Sequence, residues 1–366
     1  MLTRTDSRGI ALARGIIVLL IAPIHCAMLY SSGAAKAGPL GAVMAFFAEY
    51  PGAHLFMFLM GAFIMFSKPR TPALIIRRAA MLLLAAYALN ALKFLVPHLL
   101  GQLPPRFYEA NHIPASGFAA YRLFFMNDIL HFAAIAYPVC AFIRRCRHPL
   151  RICLPAAFIV LAASPLVWTD RSNGGILTAA ATGIVGGGPP QTWFPLFPWL
   201  FHCLAGMVCA GFYRQVPPHK RLWVFLFAGG AIGLAGLAMM ALEPAAWQRS
   251  FFRTGPGGSL FHASVALLWI WGFALAAATI KDNLLFRFFR WCSSHITVIY
   301  IVQWVLIMWL LPFAGFESCG TAESLLYMLG ISLFTLTATY IFSGFKKQRH
   351  ETTTHLQPGR DRHRPL

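Results

Sequence analysis

The stretch ALARGIIVLLIAPIHCAML, residues 11–29, decides the fold. It is long and apolar enough to cross a bilayer, and only Arg14 and His25 interrupt it with charge or a titratable ring. Eleven residues apart, at about 100° per residue, they fall roughly 20° apart on one helix face. Their axial separation is about 16 Å, near half of a hydrocarbon core. An ionisable group at that depth faces a bundle interior or a wet cavity. Arg14 has the length to snorkel to the interface. His25 is too short for that, which leaves a functional histidine or a helix-packing one.

The composition agrees with a membrane protein. Of 366 residues 58% are hydrophobic and 11% charged, and the mean hydropathy is +0.64, outside the range of soluble domains. The net charge of +19 would fit nucleic-acid binding, but the basic residues sit in short clusters between apolar segments, which excludes that class. Ten spans are expected, at roughly 10–30, 44–67, 73–97, 123–143, 151–168, 194–213, 222–242, 260–280, 294–313 and 323–345.

With the N-terminus placed in the cytoplasm, Lys36, Arg106, Arg122, Arg171, Arg249 and Arg253 fall on the outer side and Lys93 inside a span. All other Lys and Arg fall on the inner side, so both termini are expected to be cytoplasmic. The first span exceeds a signal-peptide core and is read as a retained helix. Residues 1–345 form one membrane domain, and 346–366 read as a basic, disordered tail. The eight cysteines show neither a metal spacing nor a disulfide framework, so no metal is expected.

Several further residues carry chemistry. His54 opens the second span from its outer end. Arg77 and Arg78 belong to an inner cluster that serves topology or the phosphates of an anionic cosubstrate. Asp128 and His131 lie three apart at the start of the fourth span, where they can touch: either an orienting pair for general-base catalysis or a tie between helices. The Gly/Pro-rich segment 169–193 reads as a lid or a disordered loop. Trp193, Trp199 and His202 follow it, suited to the membrane interface or to stacking on a sugar ring. Tyr300 and Gln303 lie inside the ninth span.

Placed in order, these pieces resemble the transmembrane acyltransferases, the superfamily that joins acyltransferase-3-type bacterial enzymes with heparan-α-glucosaminide N-acetyltransferase and its bacterial relatives. The resemblance rests on Arg14-Gly15 with His25, on PGAHLFMFLMGAFI (51–64) and on DILHFAAIAY (128–137). FPLFPWLFHCLAGMVCAGFY (194–213) and SSHITVIYIVQWVLI (293–307) complete it. Ala11, His54 and Gln303 depart from it, standing where many members carry an acid, an acid and a histidine.

The resemblance implies an all-α polytopic bundle in a bacterial inner membrane. It implies acyl-CoA, with acetyl-CoA expected, as cosubstrate from the cytoplasm, and a cell-envelope carbohydrate acceptor from the other face. His25 would be general base or transient acyl carrier, assisted by Asp128 and His131. Arg14, Arg77 and Arg78 would hold the donor. His54, Trp193, Trp199, His202, Tyr300 and Gln303 would line the acceptor site. The expected partners are the lipid bilayer, acyl-CoA and the carbohydrate, with no nucleic acid; a homo-oligomer stays open. A non-enzymatic transporter or flippase, or an inactive homologue, remains the alternative at the level of sequence.

Overall fold

The computed structural model describes residues 3–114, 117–168, 184–248 and 250–355. Among them no strand forms, and nine helices are long and apolar enough to span a membrane. The protein is an all-α polytopic membrane bundle. We number its main helices α1 Arg4–Tyr30, α2 Pro39–Phe66, α3 Pro72–Leu99, α4 Ile129–Arg145 and α5 Pro149–Val167. There follow α6 Leu196–Tyr213, α7 Pro218–Leu242, α8 Pro256–Thr279, α9 Leu284–Ser294, α10 Ile296–Ala314 and α11 Thr321–His355.

The expected span that is not among these nine is the fourth, 123–143, which forms the shorter α4 of 17 residues. The sequence from 123 onward reads as one span, but the helix is interrupted between Phe124 and Asp128. Asp128 then starts α4 as its N-cap, accepting a hydrogen bond from the Ile129 amide at 2.7 Å. Two other spans carry π-helical turns, Ala48–Gly52 in α2 and Ala91–Leu95 in α3. Each extra residue rotates the rest of its helix about the axis, and such turns gather at functional positions. Helix α9, expected as an inner loop, is 11 residues long. α11 runs to His355, ten residues into the expected tail; residues 356–366 lie outside the described part, as do 169–183 of the Gly/Pro-rich segment, with Arg171, and Arg249.

α1 is the hub. It packs against α8 and α9 along its first half and against α10 and α11 beyond. α2 pairs with α6, which pairs with α5; α3 pairs with α4; α7 pairs with α8. Small residues set the closest crossings, since in lipid the packing of backbone on backbone takes over from hydrophobic exclusion. A Cβ on Gly61 of α2 would fall inside the carbonyl of Cys203 in α6, and one on Gly206 inside that of Phe58. Large apolar side chains such as Leu84, Phe158, Leu234 and Phe313 stand exposed on the outside of the bundle, the surface a hydrocarbon core covers.

Hydrogen bonds sort the connections into two ends. At one end Tyr213 donates to Asp6, and Arg221 Nη1 donates to the Tyr213 oxygen at 2.9 Å. Arg214 Nη2 reaches the Met65 carbonyl at 2.9 Å, and Arg145 Nη1 the Arg70 carbonyl at 2.6 Å. The N-terminus joins this end through Arg8, whose Nη2 donates to the Ile280 carbonyl at 3.3 Å. The clusters around residues 68, 145, 214 and 287 therefore share one end, the basic end. At the other end Lys36 pairs with Glu317 at 2.5 Å and Ser32 N–H reaches the Cys319 carbonyl at 2.9 Å.

Candidate active site

Arg14 and His25 keep to one side of α1, as their spacing predicts. Near the basic end Gly15 brings α1 against α9: a Cβ there would fall inside the Phe289 carbonyl. One turn further along α9, Ser293 meets the Arg14 guanidinium. Arg14 Nε donates to Ser293 Oγ and Nη2 to the Ser293 carbonyl, both at 2.7 Å. Phe63 of α2 lies against the guanidinium carbon at 5.3 Å from the ring centre. One edge of the guanidinium is thus fixed by protein; a guanidinium carries five N–H donors, which leaves the other edge for a ligand.

Towards the other end, two residues past Pro23, His25 is half-buried against α10. Its Nδ1 lies 3.2 Å from Gln303 Oε1 and 3.0 Å from Gln303 Nε2. The same amide nitrogen donates to the Tyr300 carbonyl at 3.2 Å, which sets the way the amide faces. Trp304 packs on the imidazole at 4.1 Å between ring centres, and Tyr300 approaches edge-on at 6.4 Å. Three residues on one face of α10 therefore surround one imidazole.

Tyr300 extends this group to α4 and α3. Its hydroxyl donates to Asp128 Oδ2 at 2.9 Å, and the same oxygen accepts from Lys93 Nζ at 2.6 Å. The Lys93 ammonium also lies 4.6 Å from the centres of the Trp304 and Phe94 rings. His25, Gln303, Tyr300, Trp304, Asp128 and Lys93 thus form one connected polar and aromatic group inside the bundle. Trp304 and Lys93 belong to it although neither is among the expected site residues. Lys93 had a sequence signal, being a lone charge inside a span. Ser293, also unexpected, had none beyond its place just before a span.

Asp128 and His131 do meet, but through the backbone. Asp128 N–H donates to His131 Nδ1 at 3.1 Å in a capping box, while the carboxylate turns to Lys93 and Tyr300. An Nδ1 that accepts carries no proton in the neutral ring, so Nε2 bears the hydrogen. That nitrogen is buried without a partner, and the ring lines a cavity of about 50 Å³ with Tyr87, Asn127, Thr192 and Phe194. His131 therefore offers a donor towards a space large enough for a water or a single substrate group.

His54, Trp199 and His202 come together in a separate cluster, joined by His262, which the sequence leaves without a role. The His54 ring is sandwiched between Trp199, at 4.6 Å, and His262, at 4.0 Å, with His202 edge-on at 4.6 Å. Stacked imidazoles direct their lone pairs away from any common point, and among the described residues no group is arranged to hold a metal ion. Trp193 stands between the two clusters. Its backbone N–H donates to the Asn127 carbonyl at 3.0 Å, beside Asp128, and its ring packs edge-on against Phe252 at 4.9 Å. Phe252 in turn accepts from Trp199 Nε1 at 3.0 Å. Arg77 and Arg78 are exposed on the first turns of α3, a helix that packs on α4, and belong to neither cluster.

A family model described as heparan-α-glucosaminide N-acetyltransferase, catalytic, matches residues 8–234, more than half of the chain. No curated protein and no solved structure is matched. The matched stretch carries Arg14, His25, His54, Lys93, Asp128, His131, Trp199 and His202, and ends before the α10 residues that surround His25. The chain belongs to the heparan-α-glucosaminide N-acetyltransferase catalytic-domain family.

Proposed function

We propose that the protein moves an acyl group, with acetyl the expected one, from acyl-CoA bound at its cytoplasmic end to an amine or hydroxyl of a cell-envelope carbohydrate. The observation that carries this reading is the placement of Arg14 and His25. Both lie on one side of one helix, Arg14 towards the basic end with a free guanidinium edge and His25 deep in the bundle with its Nδ1 held by Gln303. By the positive-inside bias the basic end is cytoplasmic, in a bacterial inner membrane on this reading. A CoA phosphate at Arg14 would let the pantetheine arm run along α1, with its thioester near His25, about 16 Å away along the axis. Arg77 and Arg78, exposed at the same end, would contribute only to the field that attracts the donor.

The imidazole supplies the chemistry. With Nδ1–H donated to Gln303 Oε1, Nε2 keeps its lone pair and serves as general base. It takes the proton from the acceptor N–H or O–H as that atom attacks the thioester carbonyl. The new C–N or C–O bond forms, the C–S bond breaks, and the imidazolium returns its proton to the departing thiolate, giving free CoA thiol. In the two-step variant Nε2 itself attacks the thioester, the C–S bond breaks and CoA leaves as thiolate. The acceptor then attacks the acyl-imidazole carbonyl, the C–Nε2 bond breaks, and the acceptor's proton passes to the thiolate, restoring neutral His25. The acceptor would approach from the opposite end, over Trp193, with the His54, Trp199 and His202 cluster behind it and His131 as a fixed donor.

The test uses purified protein in nanodiscs with acetyl-CoA and a panel of amino sugars and neutral sugars, reading thiol release. Release that depends on acceptor and is lost in a folded His25→Ala variant supports the reading. A wild-type protein that binds no acyl-CoA overturns it.

A further inference from the structure

Lys93 is 2% exposed by its side chain, in the interior of α3. A buried ammonium in a membrane span is costly and persists where it has a partner and a task. Its partner is the Asp128 carboxylate. Holding the chain break before α4 is not its task, because Asn90 performs that: Asn90 Nδ2 donates to the carbonyls of Phe124 at 2.9 Å and Met126 at 2.7 Å. The π-helical turn Ala91–Leu95 turns Lys93 inward one turn further on. There its ammonium reaches the reacting region by two routes. Through Asp128 Oδ2 it meets the Tyr300 hydroxyl, and over its ring face it meets Trp304. Tyr300 supplies the carbonyl that orients the Gln303 amide, and Trp304 packs on His25.

We infer that Lys93 is a positioning residue for His25: its ion pair with Asp128 and its contact with Trp304 hold the α10 face of Tyr300, Gln303 and Trp304 against the imidazole. The inference rests on the reading of His25 as the reacting group. Lys93 touches neither His25 nor, on this reading, either substrate. Its effect is on geometry, where a displacement of about 1 Å costs about 10²-fold in rate.

The experiment compares wild type, Lys93→Met and Lys93→Arg in nanodiscs. Two quantities are read: kcat and KM for acetyl-CoA, and the pH profile of His25 carbethoxylation by diethyl pyrocarbonate, followed on the His25 peptide by mass spectrometry. Lys93→Met is expected to lose about 10²-fold in kcat with the donor KM unchanged, since the Arg14 end is untouched. Its His25 profile is expected to leave that of wild type, and Lys93→Arg, which keeps the charge, to recover most of both. A monodisperse Lys93→Met with wild-type kcat and an unmoved profile overturns the inference. If Lys93→Met does not fold, Lys93→Met with Asp128→Asn removes both charges together. Folding without recovered kcat then supports the inference, and full kcat overturns it. If the wild type turns over no donor, the acyltransfer reading falls by itself. The carbethoxylation of His25 still decides the role of Lys93: a changed rate at high pH, where the imidazole is neutral in every variant, supports it, and an unchanged rate overturns it.

Discussion

His25 of α1 and Gln303 of α10 meet through a single ring nitrogen, Nδ1, with both atoms of the amide within 3.2 Å of it. An amide in this place can accept from Nδ1–H through its oxygen, which leaves Nε2 as the basic nitrogen. It orients the imidazole as a carboxylate would, without adding a charge to the bundle interior. Gln303→Leu is therefore expected to lower kcat by about 10²-fold, the usual range for a misplaced general base. Gln303→Glu keeps the acceptor and is expected to retain more activity than Gln303→Leu. Thiol release at saturating donor measures both; a Gln303→Leu variant with unchanged kcat removes Gln303 from the site.

Arg14 is tied to Ser293 by two charge-assisted hydrogen bonds along one guanidinium edge, and the donor is expected to use the other. Hydrogen bonds to charged groups contribute about 1.5–3 kcal/mol, so Arg14→Ala should weaken acyl-CoA binding about tenfold or more. The chemical step, about 16 Å away along the helix, should change little. Calorimetric titration of CoA into wild type and variant reads the first effect and kcat the second. A loss of kcat with donor affinity intact would mean that Arg14 supports the packing of α1 on α9 instead.

Local periodicity made much of this legible, and contact across the bundle made the rest illegible. That Arg14 and His25 share a face follows from the helical repeat alone. That Asp128 and His131 meet follows from a spacing of three, but which atoms meet does not. The capping box forms because α4 begins at Asp128, and that start depends on Asn90, a residue of another helix, holding the break before it. The apolar run Leu123–Met126, with more apolar residues from Ile129 onward, hides the break between them, so the fourth span reads long. Lys93 was visible as a lone charge in a span, yet its partner lies 35 residues away and its aromatic neighbour Trp304 is on α10. The stacking of His54 with His262 required knowing that α2 lies beside α8. No spacing encodes that neighbour relation.

The α2–α6 crossing carries the second cluster, with His54 on one helix and His202 on the other. Gly61 and Gly206 lie at the crossing, each against a carbonyl of the partner helix. Gly61→Ala forces the two backbones apart at a point with no side chain to give way. A destabilisation of about 1–3 kcal/mol is expected, typical of overpacking. Gly61→Leu should yield no monodisperse protein. Fluorescence-detected size exclusion after graded heating compares the variants. Equal melting of Gly61→Ala and wild type would show that the helices separate without cost.

The assignment of the basic end to the cytoplasm has its own test. Arg145, Arg214 and Arg8 are gathered at that end by hydrogen bonds to neighbouring carbonyls, so their grouping is a property of the fold rather than of loop composition. Cys146 lies there, exposed, in the connection between α4 and α5. Lys36 and Glu317 mark the opposite end. A membrane-impermeant maleimide is expected to label Cys146 in inside-out vesicles and not in right-side-out spheroplasts. A cysteine introduced at Lys36 in a Cys146→Ser background should show the reverse. On the proposed function the same pattern decides on which side acyl-CoA is to be supplied, because Arg14 lies towards the end that carries Cys146. Labelling of Cys146 from outside would invert the bundle and place the guanidinium edge of Arg14 on the side that has no CoA.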